Sequence, residues 1–173
     1  MIDAVVYTSN TGYTKQYAEL LSNRLSLPVY SFKDAPSAVK DGSEIIYLGW
    51  VMAGKVMGCA KAMKCYKTAA VCGVCMGATG SQLDDMRKAT PLPSNIPLFS
   101  LQGGFDMKKL HGVYKFMMSV MAKTVGKKLK EKADRTPEED SMLDMMLNSG
   151  NYVSEKNLDA VLDWYSSYSG KGE

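Results

Sequence analysis

Three hydroxyl side chains, Ser9, Thr11 and Thr14, surround Gly12 in the run Thr8-Ser9-Asn10-Thr11-Gly12-Tyr13-Thr14, which joins an apolar β-branched run to the first amphipathic stretch. A helix N-terminus presents free backbone N–H groups and the positive end of its dipole, the chemistry that holds a phosphate dianion. The hydroxyls add hydrogen bonds without adding charge, and Gly12 permits the tight turn that brings backbone close to a ligand. No Lys or Arg lies within the loop, so a phosphate here rests on neutral donors. The same residue types also suit a plain capping loop. The place after a first strand favours the ligand, because open parallel sheets bind ligands where their strand order reverses.

Other chemistry-bearing patterns are weaker. Gly49-x-x-x-x-Gly54-Lys55 approaches a nucleoside-triphosphate loop, but Val56 stands where Ser or Thr must hold magnesium. No G-x-G-x-x-G follows any strand, so a dinucleotide fingerprint is absent. Cys59, Cys65, Cys72 and Cys75 contain one C-x2-C pair, whereas closed four-cysteine zinc sites carry two. In a strand Cys72 and Cys75 point to opposite faces, so no metal site is expected. His111 is the only histidine and makes no acid–base constellation, and no catalytic residue is assigned.

These residues need a scaffold. Strands are predicted at Ile2–Tyr7, Pro28–Phe32, Glu44–Trp50, Ala69–Met76 and Ile96–Gln102, alternating with helices that begin after Gly12 and near Ala60 and Gln82. Four of the five strands read as continuous apolar runs, the mark of strands buried on both faces. The expected fold is α/β, a doubly wound five-stranded parallel sheet in the order 2-1-3-4-5, closed by a helix that Ser154 caps. At 173 residues the chain suits one domain, 1–173, with residues 104–153 as a helical insertion between the fifth strand and the last helix.

Ser9-x-Thr11-Gly12-x-Thr14 resembles the FMN phosphate loop of flavodoxins, and the strand order is similar to theirs over 1–102 and 154–168. The resemblance implies FMN as cofactor, held by Ser9, Asn10, Thr11, Gly12, Tyr13 and Thr14. It implies two further loops around the flavin ring. Trp50, Val51, Met52, Ala53 and Gly54 match the first, where Trp50 suits stacking on the ring and equally a place in the core or rim. Met76, Gly77, Ala78, Thr79 and Gly80 match the second, without the acids and stacking Tyr that ordinary flavodoxins carry there. Cys75 then lies near the flavin edge.

Net charge is +3, unevenly spread. Residues 104–135 hold nine Lys/Arg against three acids, so this segment is basic while the rest is mildly acidic. That pattern describes a patch with a partner, not a nucleic-acid binder. At helical spacing Leu110, Val113, Tyr114, Met117, Val120, Met121 and Val125 share one face, opposite Lys108, His111, Lys115 and Lys123. A basic amphipathic helix of this kind, 107–125, either lies on an anionic membrane surface, receives a partner, or packs its apolar face on the domain. A second helix starts at Thr136-Pro137-Glu138-Glu139 and runs over 136–147, where Met142, Met145 and Met146 fit helical packing.

An insertion after the fifth strand is similar to that of the menaquinone-dependent protoporphyrinogen IX dehydrogenases, whose pattern does not include the second helix. The resemblance implies an FMN-dependent oxidoreductase of heme biosynthesis that passes electrons from protoporphyrinogen IX to a quinone. Lys108, Lys109 and Lys115 would meet the propionates or the membrane. Two alternatives stand beside it: a flavodoxin-type electron carrier for protein partners, and an interaction domain without flavin. Clustered cysteines, the lack of a basic leader and the lack of an 18-residue apolar run point to a cytoplasmic chain, peripheral at most on the membrane.

Overall fold

The computed structural model describes residues 1–106, 108–110, 112–137, 139–140, 143 and 149–170, with the backbone alone at 118, 121 and 122. The β-branched run Ala4–Thr8 forms strand β1, followed by helix α1 (Tyr13–Leu25) and β2 (Val29–Ser31). A 3-10 turn at Ala35–Ser37 leads to β3 (Glu44–Met52) and β4 (Lys55–Val56). Then come α2 (Cys59–Cys65), β5 (Lys67–Cys75), α3 (Leu83–Ala89) and β6 (Leu98–Gln102). After β7 (Gly104–Phe105) and α4 (Gly112–Glu131) follow β8 (Gly150–Asn151), a 3-10 turn at Glu155–Leu158, and α5 (Asp159–Ser169).

The parallel strands lie in the order β2-β1-β3-β5-β6, the predicted order once the short β4 is set aside. Alternation along each strand fills two separate cores. Val5, Ile46, Leu48, Cys72 and Leu101 face α1 and α5, where Tyr17, Leu21, Leu158 and Val161 meet them. Val6, Ile45, Tyr47, Val71 and Cys75 face the other way, against Cys59 and Ala62 of α2 and Met86 of α3. Cys72 and Cys75 thus lie on opposite faces, as their spacing requires.

Three local expectations change. The third strand runs on past Trp50 to Met52 and turns back through β4, antiparallel, with Val51 opposite Val56 and Met52 opposite Lys55. Ala53 (φ 48°) and Gly54 (φ 77°) make this two-residue turn, so Trp50, Val51 and Met52 are strand residues and not loop. Ser154 caps a 3-10 turn without a side-chain bond, and the closing helix proper begins at Asp159. The insertion is not purely helical: β7 and β8 pair antiparallel, Gly104 with Asn151 and Phe105 with Gly150, so its two ends are clasped together. Its long helix starts at Gly112 and extends to Glu131, beyond the expected 107–125. At the second helix Thr136 and Glu139 form reciprocal caps, Glu139 N–H to Thr136 Oγ1 at 3.3 Å and Thr136 N–H to the Glu139 carboxylate at 2.9 Å. Met107, His111, Met142, Met145 and Met146 lie outside the described residues, as do the Met118 and Met121 side chains.

One buried hydroxyl ties the clasp to the sheet. Tyr17 Oη donates to the Gln102 carbonyl at 2.5 Å and accepts from Asn157 Nδ2 at 2.6 Å. Asn157 Nδ2 also donates to the Tyr152 carbonyl at 3.0 Å, and the Tyr152 N–H donates to Gly103 O at 2.9 Å. Replacing Tyr17 by Phe leaves the Asn157 amide and the Gln102 carbonyl short of a partner. That change is expected to cost about 1–3 kcal/mol, read as a lower urea midpoint at unchanged slope. An unchanged midpoint would contradict this role.

Candidate functional site

The chain leaves β1 for one edge of the sheet and returns by β3 on its other side, so the carboxyl ends of β1 and β3 flank the reversal point. The hydroxyl-rich loop sits there. Gly12 takes φ 94° at the start of α1, and its N–H donates to Ser9 Oγ at 3.1 Å. No side chain caps the helix, which leaves the first-turn N–H groups of Tyr13, Thr14 and Lys15 open. A Cβ on Gly12 would meet nothing within 4 Å, so the space before it is clear. These features fit a phosphate: open N–H donors, a dipole end, and the Ser9 and Thr11 hydroxyls.

Thr8 is fixed at the mouth of this loop. Tyr47 Oη lies 2.8 Å from the Met57 carbonyl and 2.7 Å from Thr8 Oγ1. The phenol has one proton, which goes to the carbonyl, so the Thr8 hydroxyl donates to Tyr47. Gly58 (φ 80°) closes the arrangement, since a Cβ there would collide with the Tyr47 hydroxyl. Burial raises the Tyr47 pKa, and the hydroxyl stays neutral.

The insertion's root touches all three predicted loops. Lys109 Nζ lies over the buried Tyr13 ring, 5.1 Å from its centroid. Tyr114 meets Trp50 edge-on, with ring centroids 5.3 Å apart at 90°. Phe105 and Leu110 are buried against Met76 and Tyr114. Gly104 passes so close to Tyr13 that a Cβ would press on the ring at 2.6 Å. Gly104, Phe105, Lys109, Leu110 and Tyr114 therefore bring Tyr13, Trp50 and Met76 together at the insertion's root.

Not every predicted residue lies at the insertion's root or at the Gly12 loop. Tyr13 offers its backbone N–H to the loop while its ring packs beneath the insertion. Thr14 is buried. Ala53 and Gly54 form the hairpin tip, and Gly54 lies near Asp85 and Ala89 of α3. In the last loop Met76 alone packs against the insertion's apolar cluster. Thr79 and Gly80 turn to the edge strand, with Gln102 N–H donating to Thr79 Oγ1 and Gly80 N–H to Ser100 O, each at 3.0 Å. Lys108 and Lys115 are exposed on the insertion.

Two cations were missed by reading the loop alone. Lys15 and Lys33 border a cleft of about 520 Å³ that Ser9, Asn10 and Gly12 share with the apolar side chains of Tyr7 and Phe32. Lys15 also pairs with Glu19 at 3.6 Å. The signal was present in the order 2-1-3: it sets the end of the second strand, and so Lys33, beside the first loop. With Lys109, three lysines surround a loop that has no charge of its own.

The thiols are set by burial. Desolvation pushes Cys59 up to about 11 and the fully enclosed Cys72 up to about 12, from an ordinary 9.0. Burial also raises Cys75, partly opposed by hydrogen bonds with Ser100 and Gly77. Among the described residues no group of His, Cys, Asp or Glu is arranged to hold a metal. Above pH 9 the unfolded chain releases thiol protons that the folded chain still holds, so folding stability falls with rising pH until the folded values are passed. Urea midpoints at pH 8, 9.5 and 10.5 are expected to decline in that order; a flat or rising series would contradict this. No protein-family model and no curated protein matches the chain.

Proposed function

We propose that the chain is a flavodoxin-like FMN protein and acts as an oxidoreductase. One observation carries this reading: an uncapped helix start with a neutral hydroxyl loop, at the strand-order reversal, shares the root of the insertion with Trp50 and Met76. The residues fit the cofactor in kind. Backbone N–H groups of 13–15 with Ser9 and Thr11 would hold the phosphate, and Trp50 and Met76 would wall the ring. FMN supplies the electron-transfer chemistry when bound. The protein's own part would be to hold and orient the cofactor and to exclude water through the apolar root of the insertion, Phe105, Leu110 and Tyr114, with Lys109 close to the loop.

The substrate class follows from charge. Lys108 and Lys115 are exposed beside this cover and Lys109 stands at its base, a group of cations suited to an anionic, reduced substrate such as a porphyrinogen carrying propionates. Quinones complete the balance: each takes up two electrons and two protons, so three are reduced for the six electrons and six protons that one porphyrinogen gives up on becoming a porphyrin. The basic insertion speaks against a carrier of the ordinary acidic kind, which docks on basic partners.

Titration of the purified chain is expected to quench FMN fluorescence with tight binding and to leave riboflavin, which lacks the phosphate, bound weakly. Equal binding of both, or of neither, would remove the phosphate-loop reading. Changing Lys108, Lys109 and Lys115 together to Glu is expected to abolish porphyrinogen oxidation while FMN is retained. An unchanged rate would remove the substrate reading and leave the flavin one standing.

A further inference from the structure

Among the described residues, four large apolar side chains of α4 stand exposed over its first turns. Val113 is 63% exposed, Phe116 70%, Met117 49% and Val120 46%, against 5% for Leu110 and 9% for Leu129. At 100° per residue these four exposed side chains fall within an arc of about 100°. The inward side is a different one, where Tyr114 meets Trp50 and Leu129 is buried. Large apolar side chains left exposed on a helix are poorly placed in water.

Charge decides what covers them. Further along the helix Lys123, Lys127 and Lys130 fall within about 60° of Phe116 on the helical projection. The exposed side is thus turned from the apolar face that periodicity predicts, which lies opposite Lys123, and around Phe116 it is apolar in its first half and cationic in its second. All three are exposed. Glu131 is the acid that answers on this stretch, at 4.0 Å from Lys127. Segment 104–135 carries a net charge of +6 on a chain whose remainder is net negative. Among the described residues no helix is long and apolar enough to cross a membrane, so the arrangement is that of a helix lying in the interface.

We infer that α4 docks on an anionic lipid bilayer, with Phe116, Val113, Met117 and Val120 entering the acyl boundary and Lys123, Lys127 and Lys130 meeting the headgroups. Lipid suits this face better than a folded partner does, because exposed aliphatic and aromatic side chains beside a row of lysines match the acyl boundary and the anionic headgroups of an interface. The docking does not depend on the flavin reading. It does add something to it: Tyr114 on the same helix packs against Trp50, so a docked chain holds its crevice within a helix diameter of the bilayer surface, where an apolar electron acceptor dissolves.

The test is sedimentation of the full chain with vesicles of phosphatidylcholine alone and of phosphatidylcholine with a third phosphatidylserine, at 0.1 M salt. Binding is expected to the anionic vesicles, and to fall about fivefold for each of Lys123→Gln, Lys127→Gln and Lys130→Gln, and with rising salt. Phe116→Ser with Val120→Ser is expected to lose about tenfold or more while circular dichroism stays unchanged. Absence of vesicle binding, equal binding to both compositions, or binding indifferent to Phe116 and Val120 would overturn the inference. A protein seated on this face instead would appear as the first of these outcomes. FMN titration of the same samples reads the crevice separately, so either reading can fail alone.

Discussion

A parallel sheet buried on both faces must send its connections over one face or the other, and here the first connection goes left from β1 while the later ones go right from β3. No crossover can then close the gap between the carboxyl ends of β1 and β3. The backbone there still has to find partners: the first N–H groups of α1 point outward with no side chain to take them. Everything else about the functional end of the molecule is built around that opening. Tyr47 and Gly58 hold Thr8 at its mouth, the Trp50 hairpin forms one wall, and Met76 rises from the next strand.

The insertion answers the same constraint from outside. Two short strands clasp its ends over α1, where Asn151 Nδ2 reaches Gln16 Oε1 at 3.1 Å and the Tyr17 hydroxyl ties the exit of β6 to the return of the chain. With its neck fixed, some fifty residues can leave the sheet and come back without loosening the closing helix. The segment has two parts. Its root packs Phe105, Leu110 and Tyr114 against Met76 and Trp50 and sets Lys109 over Tyr13, while Val113, Phe116, Met117 and Val120 of α4 stay exposed. Interfacial helices and core helices have the same periodicity; what separates them is which other element is near enough to pack.

The difference between what could and could not be read in the residues follows from this. Runs such as Glu44–Trp50 and Ala69–Met76 are apolar without alternation, and only a doubly covered strand has that composition, so the layers and their order were legible. The bend before α1 was legible because a hydroxyl-rich turn with Gly12 falls where a strand gives way to a helix. The hairpin at Ala53-Gly54 was not, since Ala at φ 48° lacks the Asn-Gly or Asp-Gly signature of such turns. Two-residue strands such as Gly104–Phe105 and Gly150–Asn151 have no pattern to detect, being defined by each other across the chain. The resemblance assigns Thr79 and Gly80 to the flavin ring, and their two hydrogen bonds to the edge strand β6 had no mark in the residues, because the strand they bond lies some twenty positions further on. Periodicity identified the apolar face of α4 and had nothing to say about whether that face is covered, because coverage depends on partners far away in sequence.

The central claim is that the open N–H groups at the start of α1 hold the phosphate of a flavin mononucleotide, away from water and without a cation from the loop itself. Phosphorus NMR of the FMN complex addresses it directly. A phosphate enclosed by the loop is expected to give one resonance, distinct from free FMN, whose position does not change between pH 5 and 9. A resonance that titrates with the ordinary second pKa of about 6 for a phosphate monoester would mean that the phosphate is in solvent, and would contradict the account.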